Sequence, residues 1–447
     1  MKIVIVGSGI AALSACDAIL STGAAATITV ISCDTTTPYS KVALPKYVSG
    51  QIERAKVFLP AVMTRPAGAW LPEPVWLWDT TVVSIDRATR AVATTGPRGR
   101  AELPYDRLIL AQGATPSCRF GRPFWTLDDA DQVKALAAAG ATASIAGGGF
   151  VGLHLAMALV HCGMKVTVFE REEHVMPGRT PPGFAGYLEE TLRRSGVAVR
   201  TRAHMESAVC ARNGWEVGVE VPGRGQEPLK FDFALDCTGT LPNTTLAGNA
   251  ELHVCAGGIL VDSSQRTSDL HILAAGDCAA VAHTSGEARS AGLWHQASDQ
   301  GRVAGLAAVG VQAESLPSTG WHTFEIPVPS DAGGERAGSG PAHITPRVAC
   351  SFGDLVPLAT DKVLESGDPA RDDYRYAIVS GGRVSGYFTT ASPAEMGGLI
   401  ARLGRLEAGS GELSAARYPS PFSVVAELQP LPIGPGHGKV LVKGRRE

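Results

Sequence analysis

The chain has 447 residues, enough for two or three domains with their own cores. Apolar residues make up 45% and aromatics 6%, with 52 glycines, which suits an Ala/Val/Gly-rich α/β protein and excludes a disordered chain. The formal charge of −3, with a basic cluster only in the tail Lys443–Glu447, excludes a nucleic-acid-binding surface. The nine cysteines are scattered without a C-x-x-C pair, so no zinc site or dithiol is written locally, and a reducing cytoplasm is the expected location. No apolar stretch approaches the roughly 18 residues of a membrane span.

Lys2–Val6 reads as a short apolar strand, followed by Gly7-Ser8-Gly9-Ile10-Ala11-Ala12 and a helical pattern through Leu20. A second strand, Thr27–Ser32, comes after Gly23. Strand, glycine turn, helix and strand in that order form the context of a dinucleotide-binding turn. Gly7 permits the tight bend, Gly9 admits a pyrophosphate close to the backbone, and Ala12 allows close helix–sheet packing. The helix N-terminal amides, from Ile10 and Ala11 onward, would then face phosphate. The same glycines interrupt the apolar N-terminus and argue against a signal peptide. Ser32 stands where a ribose-binding acid is expected, with Asp34 two residues later.

The pattern repeats from Ser144 to Glu170: strand, a turn with Gly147, Gly149, Phe150, Val151 and Gly152, helix, Gly163, strand. Glu170 lies at the spacing of an acid that grips a ribose 2′-hydroxyl, which favours NADH. The adjacent Arg171 could receive a 2′-phosphate and keeps NADPH open. Between the two turns, Asp128 and Asp129 read as a helix-start cap rather than a catalytic pair. Towards the end, Val328–Pro341 reads as a Pro/Gly/Ser-rich loop, Asp373–Ala391 as two strands around a Gly-Gly turn, and Pro393–Leu403 as a helix.

Further segments carry a resemblance that covers roughly Met1–Gly310. They are Asp106–Pro116 (DRLILAQGATP), Leu235–Asn243 (LDCTGTLPN), Gly257–Ala279 (GGILVDSSQRTSDLHILAAGDCA) and Leu293–Gly305 (LWHQASDQGRVAG). Together with the two glycine turns they resemble the FAD-dependent pyridine nucleotide–disulfide oxidoreductase superfamily, in its ferredoxin/rubredoxin reductase and nitrite reductase flavoprotein-like branch. The resemblance implies an α/β fold class: two Rossmann-like three-layer dinucleotide-binding domains, for FAD and NAD(P), and an α+β C-terminal interface domain. The implied division is a split FAD domain at 1–118 and 242–314, an NAD(P) domain at 119–241 and the interface domain at 315–447. It implies FAD contacts from Val82, Ala111, Gln112, Gly113, Gly276, Asp277 and Trp294, with Gly239 in the crossover from the NAD(P) domain. Asp277 would accept from a ribityl hydroxyl, and the helix after Leu293 would favour negative charge on the reduced ring.

The stretch Pro38–Tyr47 (PYSKVALPKY) is similar to a segment that carries a redox cysteine in NADH oxidases and coenzyme A-disulfide reductases. Here Val42 takes that position, and valine cannot relay electrons. The stretch also resembles the cysteine-free ferredoxin reductase form, in which Lys41 would bind FAD and Lys46 would lie near the flavin. The glutamate that commonly pairs with that lysine is His154 here. His154 has two readings: packing on a helix face, or moving a proton beside the flavin. His295 is the other histidine expected beside the flavin. Trp125 stands in place of a flavin-contacting arginine. His161, His174 and His204 show no metal-ligand spacing, and no metal is expected.

The expected function is therefore an FAD-dependent NAD(P)H oxidoreductase without a redox-active cysteine. Hydride would pass from NADH to FAD, and electrons on to a ferredoxin- or rubredoxin-like protein or a small molecule. A second reading is the FAD subunit of a multi-subunit dehydrogenase or oxidase acting on an amino acid or amine, with a degenerate nicotinamide site. A third is a nucleotide-binding protein without turnover. The resemblance also implies an electron-acceptor protein or partner subunit, and a homodimer through the C-terminal domain.

Overall fold

Ile3, Val4 and Ile5 are almost completely buried, as β-branched residues at the centre of a sheet covered on both faces must be. In the computed structural model Lys2–Val6 is the middle strand of five, all parallel, in the order Ile272–Ala274, Arg107–Leu110, Lys2–Val6, Thr27–Ile31, Val75–Leu77. The model describes residues 1–59, 73–221, 225–282, 288–290, 292–315, 322–328, 345–353, 355, 357–370, 374–380 and 383–391. Alternate side chains feed two cores, one around Ile5, Val30 and Ile109 and one around Val4, Ile31 and Leu108. Each such side chain contributes about 1.5–3 kcal/mol by leaving water.

Two helices share the first of these cores, Ile10–Ser21 and Trp294–Ala308. They approach closely because Gly301 and Gly305 lie against the carbonyl oxygens of Ala11 and Ala15, where any Cβ would collide. The hydroxyls of Ser14 and Ser298 meet across the same seam at 2.8 Å.

The contacts divide the chain into two compact units. One comprises Met1–Ser117, Trp125–Ala130 and Thr240–Gly320; the other comprises Cys118–Phe124, Asp131–Gly239 and Trp321–Glu447. The second unit has its own five-stranded parallel sheet, ordered Val197–Arg200, Lys165–Phe169, Thr142–Ala146, Phe233–Asp236, Arg122–Pro123. An antiparallel three-stranded sheet, His204–Ala211, Gly214–Val221 and Gly225–Phe231, packs on it through Met205, Val217 and Val219. A further antiparallel sheet has the order His322–Val328, Thr345–Gly353, Arg383–Ala391, Arg375–Ser380, Lys362–Ser366. The strand pair expected in Asp373–Ala391 is present. Most of the loop expected at Val328–Pro341, and the helix expected at Pro393–Leu403, lie outside the described residues.

Two of the passages between the units, at Ser117–Cys118 and Gly239–Thr240, are tied within each unit. On the first unit's side Ala114–Pro116 pairs antiparallel with Thr240–Pro242. Asn243 and Gln112 hold each other there: Gln112 Nε2 donates to the Asn243 carbonyl at 2.5 Å, and Asn243 Nδ2 to the Gln112 carbonyl at 2.8 Å. On the second unit's side the buried carboxylate of Asp236 accepts from the backbone N–H of Arg119, Phe120 and Thr238 and from the Thr238 hydroxyl. Those bonds hold its pKa below the usual range against the opposing cost of burial. Among the described residues no helix is long and apolar enough to cross a membrane.

Candidate functional site

The two glycine turns are built alike. Gly7 has φ +115°, and a side chain on it would collide with the Ala111 carbonyl of the adjacent strand. Gly147 has φ +96°, and a Cβ there would lie 2.6 Å from the Cys237 carbonyl, the equivalent neighbour in the second unit. Both positions thus need glycine for conformation and for close approach. Gly9 and Gly149 cap the following helices, Ile10–Ser21 and Phe150–His161, with no side-chain cap and no acid in the first turn. A Cβ on either would meet nothing within 4 Å, so each helix N-terminus opens onto space with its amide groups available to an anion. Ala11, Ala12 and Gly152 are buried behind these turns, while Ile10 and Phe150 are partly buried and Val151 is exposed.

The acids at the ends of the second strands are positioned differently. Glu170 is buried; its Oε2 accepts from the Gly148 N–H at 2.7 Å and its Oε1 from the Glu172 N–H at 2.9 Å. The carboxylate is thereby fixed directly to the glycine turn. Arg171 is exposed and paired with Glu172 at 3.0 Å, and Arg202 pairs with Glu173, so neighbouring acids neutralise both cations. In the first half Ser32 cannot act as the acid. Its hydroxyl donates to Ser8 Oγ at 2.8 Å, and Ser8 Oγ donates to Asp34 Oδ2 at 2.9 Å. This relay brings Asp34 to the glycine turn through the residue that corresponds to Gly148.

Asp277 follows Gly276 in a short turn. That turn is held from below: the Gly276 N–H donates to Gln300 Oε1 at 2.8 Å, from the Trp294–Ala308 helix. The Asp277 carboxyl is largely shielded, and burial raises its pKa while Lys41 pulls it down. Lys41 lies over the ring of Trp125, its Nζ 4.1 Å from the centroid. The residue keeps solvent access along its length, but desolvation of the ammonium lowers its pKa, opposed by Asp34, Asp277 and Asp129. Lys41 and Asp277, each expected at FAD, influence one another's charge here, and Lys41 also meets the Trp125 ring.

The three candidate catalytic residues fall in three settings. Lys46 is exposed, on the short helix Leu44–Val48. His154 is half-buried on the Phe150–His161 helix, between buried Leu153 and Leu155. His295 is in the first turn of the Trp294–Ala308 helix beside half-buried Trp294; its Nε2 is buried with no hydrogen-bond partner among the described residues, and desolvation lowers its pKa against the pull of Asp299. Gly113 and Gly239 both have positive φ and open space at the Cβ position. Val82 turns its side chain into the core beside Ile85 and Val92, which leaves its backbone edge as the part able to meet a cofactor.

Val42, at the position of the sought redox cysteine, is 64% exposed. None of the eight cysteines whose side chains are described is in a disulfide. Cys33, the nearest in sequence, has its pKa raised by burial and by Asp34, the opposite of an activated thiolate. The cap at Asp128 and Asp129 is confirmed for Asp129: its Oδ2 accepts from the N–H groups of Trp125 and Thr126, and its own N–H donates to Thr126 Oγ1 at 3.1 Å.

Sequence reading missed the Ser8–Ser32–Asp34 relay, whose signal was a serine inside the turn facing a serine at the strand end. It also missed one grouping of metal-ligating atoms. His204 pairs across the hairpin with Glu220, and their ligand atoms and that of Glu206 lie within 4.8 Å of one another. All three are exposed, and spacing along the chain hides a cluster made by strand pairing.

A family model of the pyridine nucleotide-disulphide oxidoreductases matches residues 1–301. The chain belongs to this family. A rubredoxin-NAD(+) reductase of Pseudomonas putida is 30% identical over 289 residues, covering 62% of the chain and 72% of that protein. The epsilon subunit of an NADH-dependent phenylglyoxylate dehydrogenase of Aromatoleum evansii is 30% identical over 339 residues, covering 72% of the chain and 77% of that subunit. In three dimensions the reductase in a covalent putidaredoxin reductase–putidaredoxin complex superposes with a TM-score of 0.73 at 23% identity, over 89% of the chain and 91% of the other, which shows a shared fold.

As a member of this family the chain is an FAD-dependent NAD(P)H oxidoreductase, with FAD and NADH as its cofactors. The residues present fit both groups. Two open helix N-termini behind glycine turns suit two pyrophosphates. The shielded Asp277 carboxyl suits a hydroxyl donor, and Glu170 suits a ribose. When bound, the flavin accepts a hydride and passes electrons on. The protein's own contribution would be to bind and orient: Gly7 and Gly147 would let backbone amides approach the phosphates, while Asp34 and Glu170 are bonded to the turns and the Gln300–Gly276 bond fixes the turn that carries Asp277.

Proposed function

We propose that NADH docks on the Gly147–Gly149 turn through Glu170, that hydride passes to FAD held by the Gly7–Gly9 turn, and that electrons leave for an external redox protein, without a thiol relay. The observation that carries this reading is the doubled glycine turn, each with its own acid, combined with exposed Val42 where a relay cysteine would stand. The name of the Pseudomonas putida relative supports a rubredoxin-like acceptor, and the subunit name of the Aromatoleum evansii relative supports exchange with a partner protein. Glu170, together with the pairing of Arg171 to Glu172 and Arg202 to Glu173, supports NADH over NADPH. A 2′-phosphate would meet a fixed carboxylate and no uncommitted local cation among these residues.

The absence of disulfides among the eight described cysteines supports a cytoplasmic location. We assign residues 315–447 the role of an interface domain that contacts a second copy; sedimentation of the purified protein tests this, and a monomer at all concentrations would contradict it. The functional reading is tested by anaerobic reduction with NADH and by electron delivery to a rubredoxin and to a two-iron ferredoxin. NADH-driven reduction of either acceptor, unchanged after the thiols are alkylated, is the expected outcome. Loss of reduction on alkylation would refute the thiol-free path.

A further inference from the structure

We propose that Trp125 is a positioning residue that holds the Lys41 ammonium as the side-chain cation for the diphosphate of the bound flavin dinucleotide. This inference rests on the FAD assignment above and concerns how this chain carries the charge.

The geometry begins with how firmly the indole is held. Its Nε1–H donates to the Ala114 carbonyl at 3.0 Å, and its backbone N–H donates to Asp129 at 3.0 Å. The Leu127 N–H donates to the Tyr39 hydroxyl at 3.3 Å, so the segment carrying Lys41 is docked against the start of the same helix. With both sides anchored, the Lys41 Nζ rests 4.1 Å from the indole centroid. An aromatic face attracts an ammonium that has lost part of its water, and it restricts a side chain that is otherwise free in four torsions.

Asp34, Asp277 and Asp129 all act on Lys41 electrostatically. Asp129 is spent on backbone amides at the helix cap. Asp34 is tied to the glycine turn through Ser8. Asp277 follows Gly276, whose Cβ position would lie 3.0 Å from Ala11, in the first turn of the glycine-turn helix. Lys41 therefore shares its electrostatic surroundings with two acids, Asp34 bonded to Ser8 of the glycine turn and Asp277 next to Gly276 beside Ala11, at the open N-terminus of the Ile10–Ser21 helix where a diphosphate would lie. The helix amides supply fixed partial charge on one side, and Lys41 supplies a full charge on another. The pair at Lys41 and Trp125 is distinct from Lys46, which is exposed on its own short helix.

The test measures FAD affinity of deflavinated protein by flavin fluorescence quenching, at low and high salt, with folding of each apoprotein followed by circular dichroism. Lys41→Met should weaken FAD about tenfold and flatten the salt dependence. Trp125→Leu should reproduce much of both effects, and Trp125→Phe, which retains an aromatic face, should restore most of the affinity. The double variant Lys41→Met with Trp125→Leu should be no weaker than Lys41→Met alone. Additive losses, or wild-type affinity and salt slope in Lys41→Met or in folded Trp125→Leu, would overturn the proposal. Should Trp125→Leu fail to fold, Lys41→Met and the pair of Trp125→Phe and Trp125→Tyr decide it alone. Failure of the unaltered apoprotein to bind FAD would instead strike at the FAD assignment itself.

Discussion

The halves beginning at Lys2 and at Thr142 share a backbone and differ in chemistry. Each packs a positive-φ glycine, Gly7 or Gly147, against a carbonyl at the end of a neighbouring strand, and each opens the N-terminus of a twelve-residue helix onto space. At the ribose end they part. Glu170 binds the turn directly through the Gly148 N–H, whereas Asp34 reaches it through the hydroxyl of Ser8, with Ser32 behind. The turn is fixed by collision, which permits no substitute. The acid is fixed by hydrogen bonds, which a different residue two positions along can remake.

That difference can be broken at several points, in descending order of effect. Gly147→Val should leave the protein yellow while lowering its rate of reduction by NADH more than a hundredfold, and Gly7→Val should cost the flavin and much of the fold; a side chain driven into a strand carbonyl costs about 2 kcal/mol or more. Absorbance of the purified variants, followed by rapid mixing with NADH, reads both. Next, Glu170→Ala should raise the KM for NADH roughly tenfold, by the loss of a charge-assisted bond. Adding Glu172→Ala, which releases Arg171 from its partner, should move the ratio of NADPH to NADH activity in favour of NADPH. Ser8→Ala should have the smaller effect, about threefold in FAD affinity, because Asp34 loses one donor and keeps its place in the chain.

A pH dependence sharpens the comparison further. Asp277 has its pKa raised by burial against the pull of Lys41, so the stability of the apoprotein falls as pH rises from the ordinary carboxylate range through that raised value. A hydroxyl of the flavin side chain that donates to Asp277 favours the ionised form. FAD affinity should therefore increase as pH rises through the same window. Asp277→Asn should bind FAD more weakly and without that increase, as measured by fluorescence titration from the ordinary carboxylate range upward.

Much of the fold was legible because its signals are local. Apolar strands, glycine turns and helices recur in order from Lys2 and from Ser144, and the alternation in Arg375–Ser380 and Arg383–Ala391 marks a hairpin. Three strands of the same C-terminal sheet were not read. His322–Val328 contains Pro327, which suits its place at the sheet edge but breaks the usual strand pattern. Thr345–Gly353 begins with Thr-Pro after a Pro/Gly-rich run, and Lys362–Ser366 is too short to show a period. In the site, glycines and acids could be named, but not their couplings. Trp125 and Lys41 are far apart in sequence, and the Tyr39–Leu127 hydrogen bond joins the two segments on which they meet. His204 and Glu220 meet for the same kind of reason, across a strand pair.

The central claim is that NADH reduces the bound flavin directly, in a chain with valine where a relay cysteine would be. Anaerobic titration of the purified, thiol-alkylated protein with NADH, followed in the visible spectrum, tests it most directly. The account predicts bleaching of the flavin at stoichiometric NADH, much slower bleaching with NADPH, and no change on alkylation. A flavin that stays oxidised with both nucleotides would contradict it.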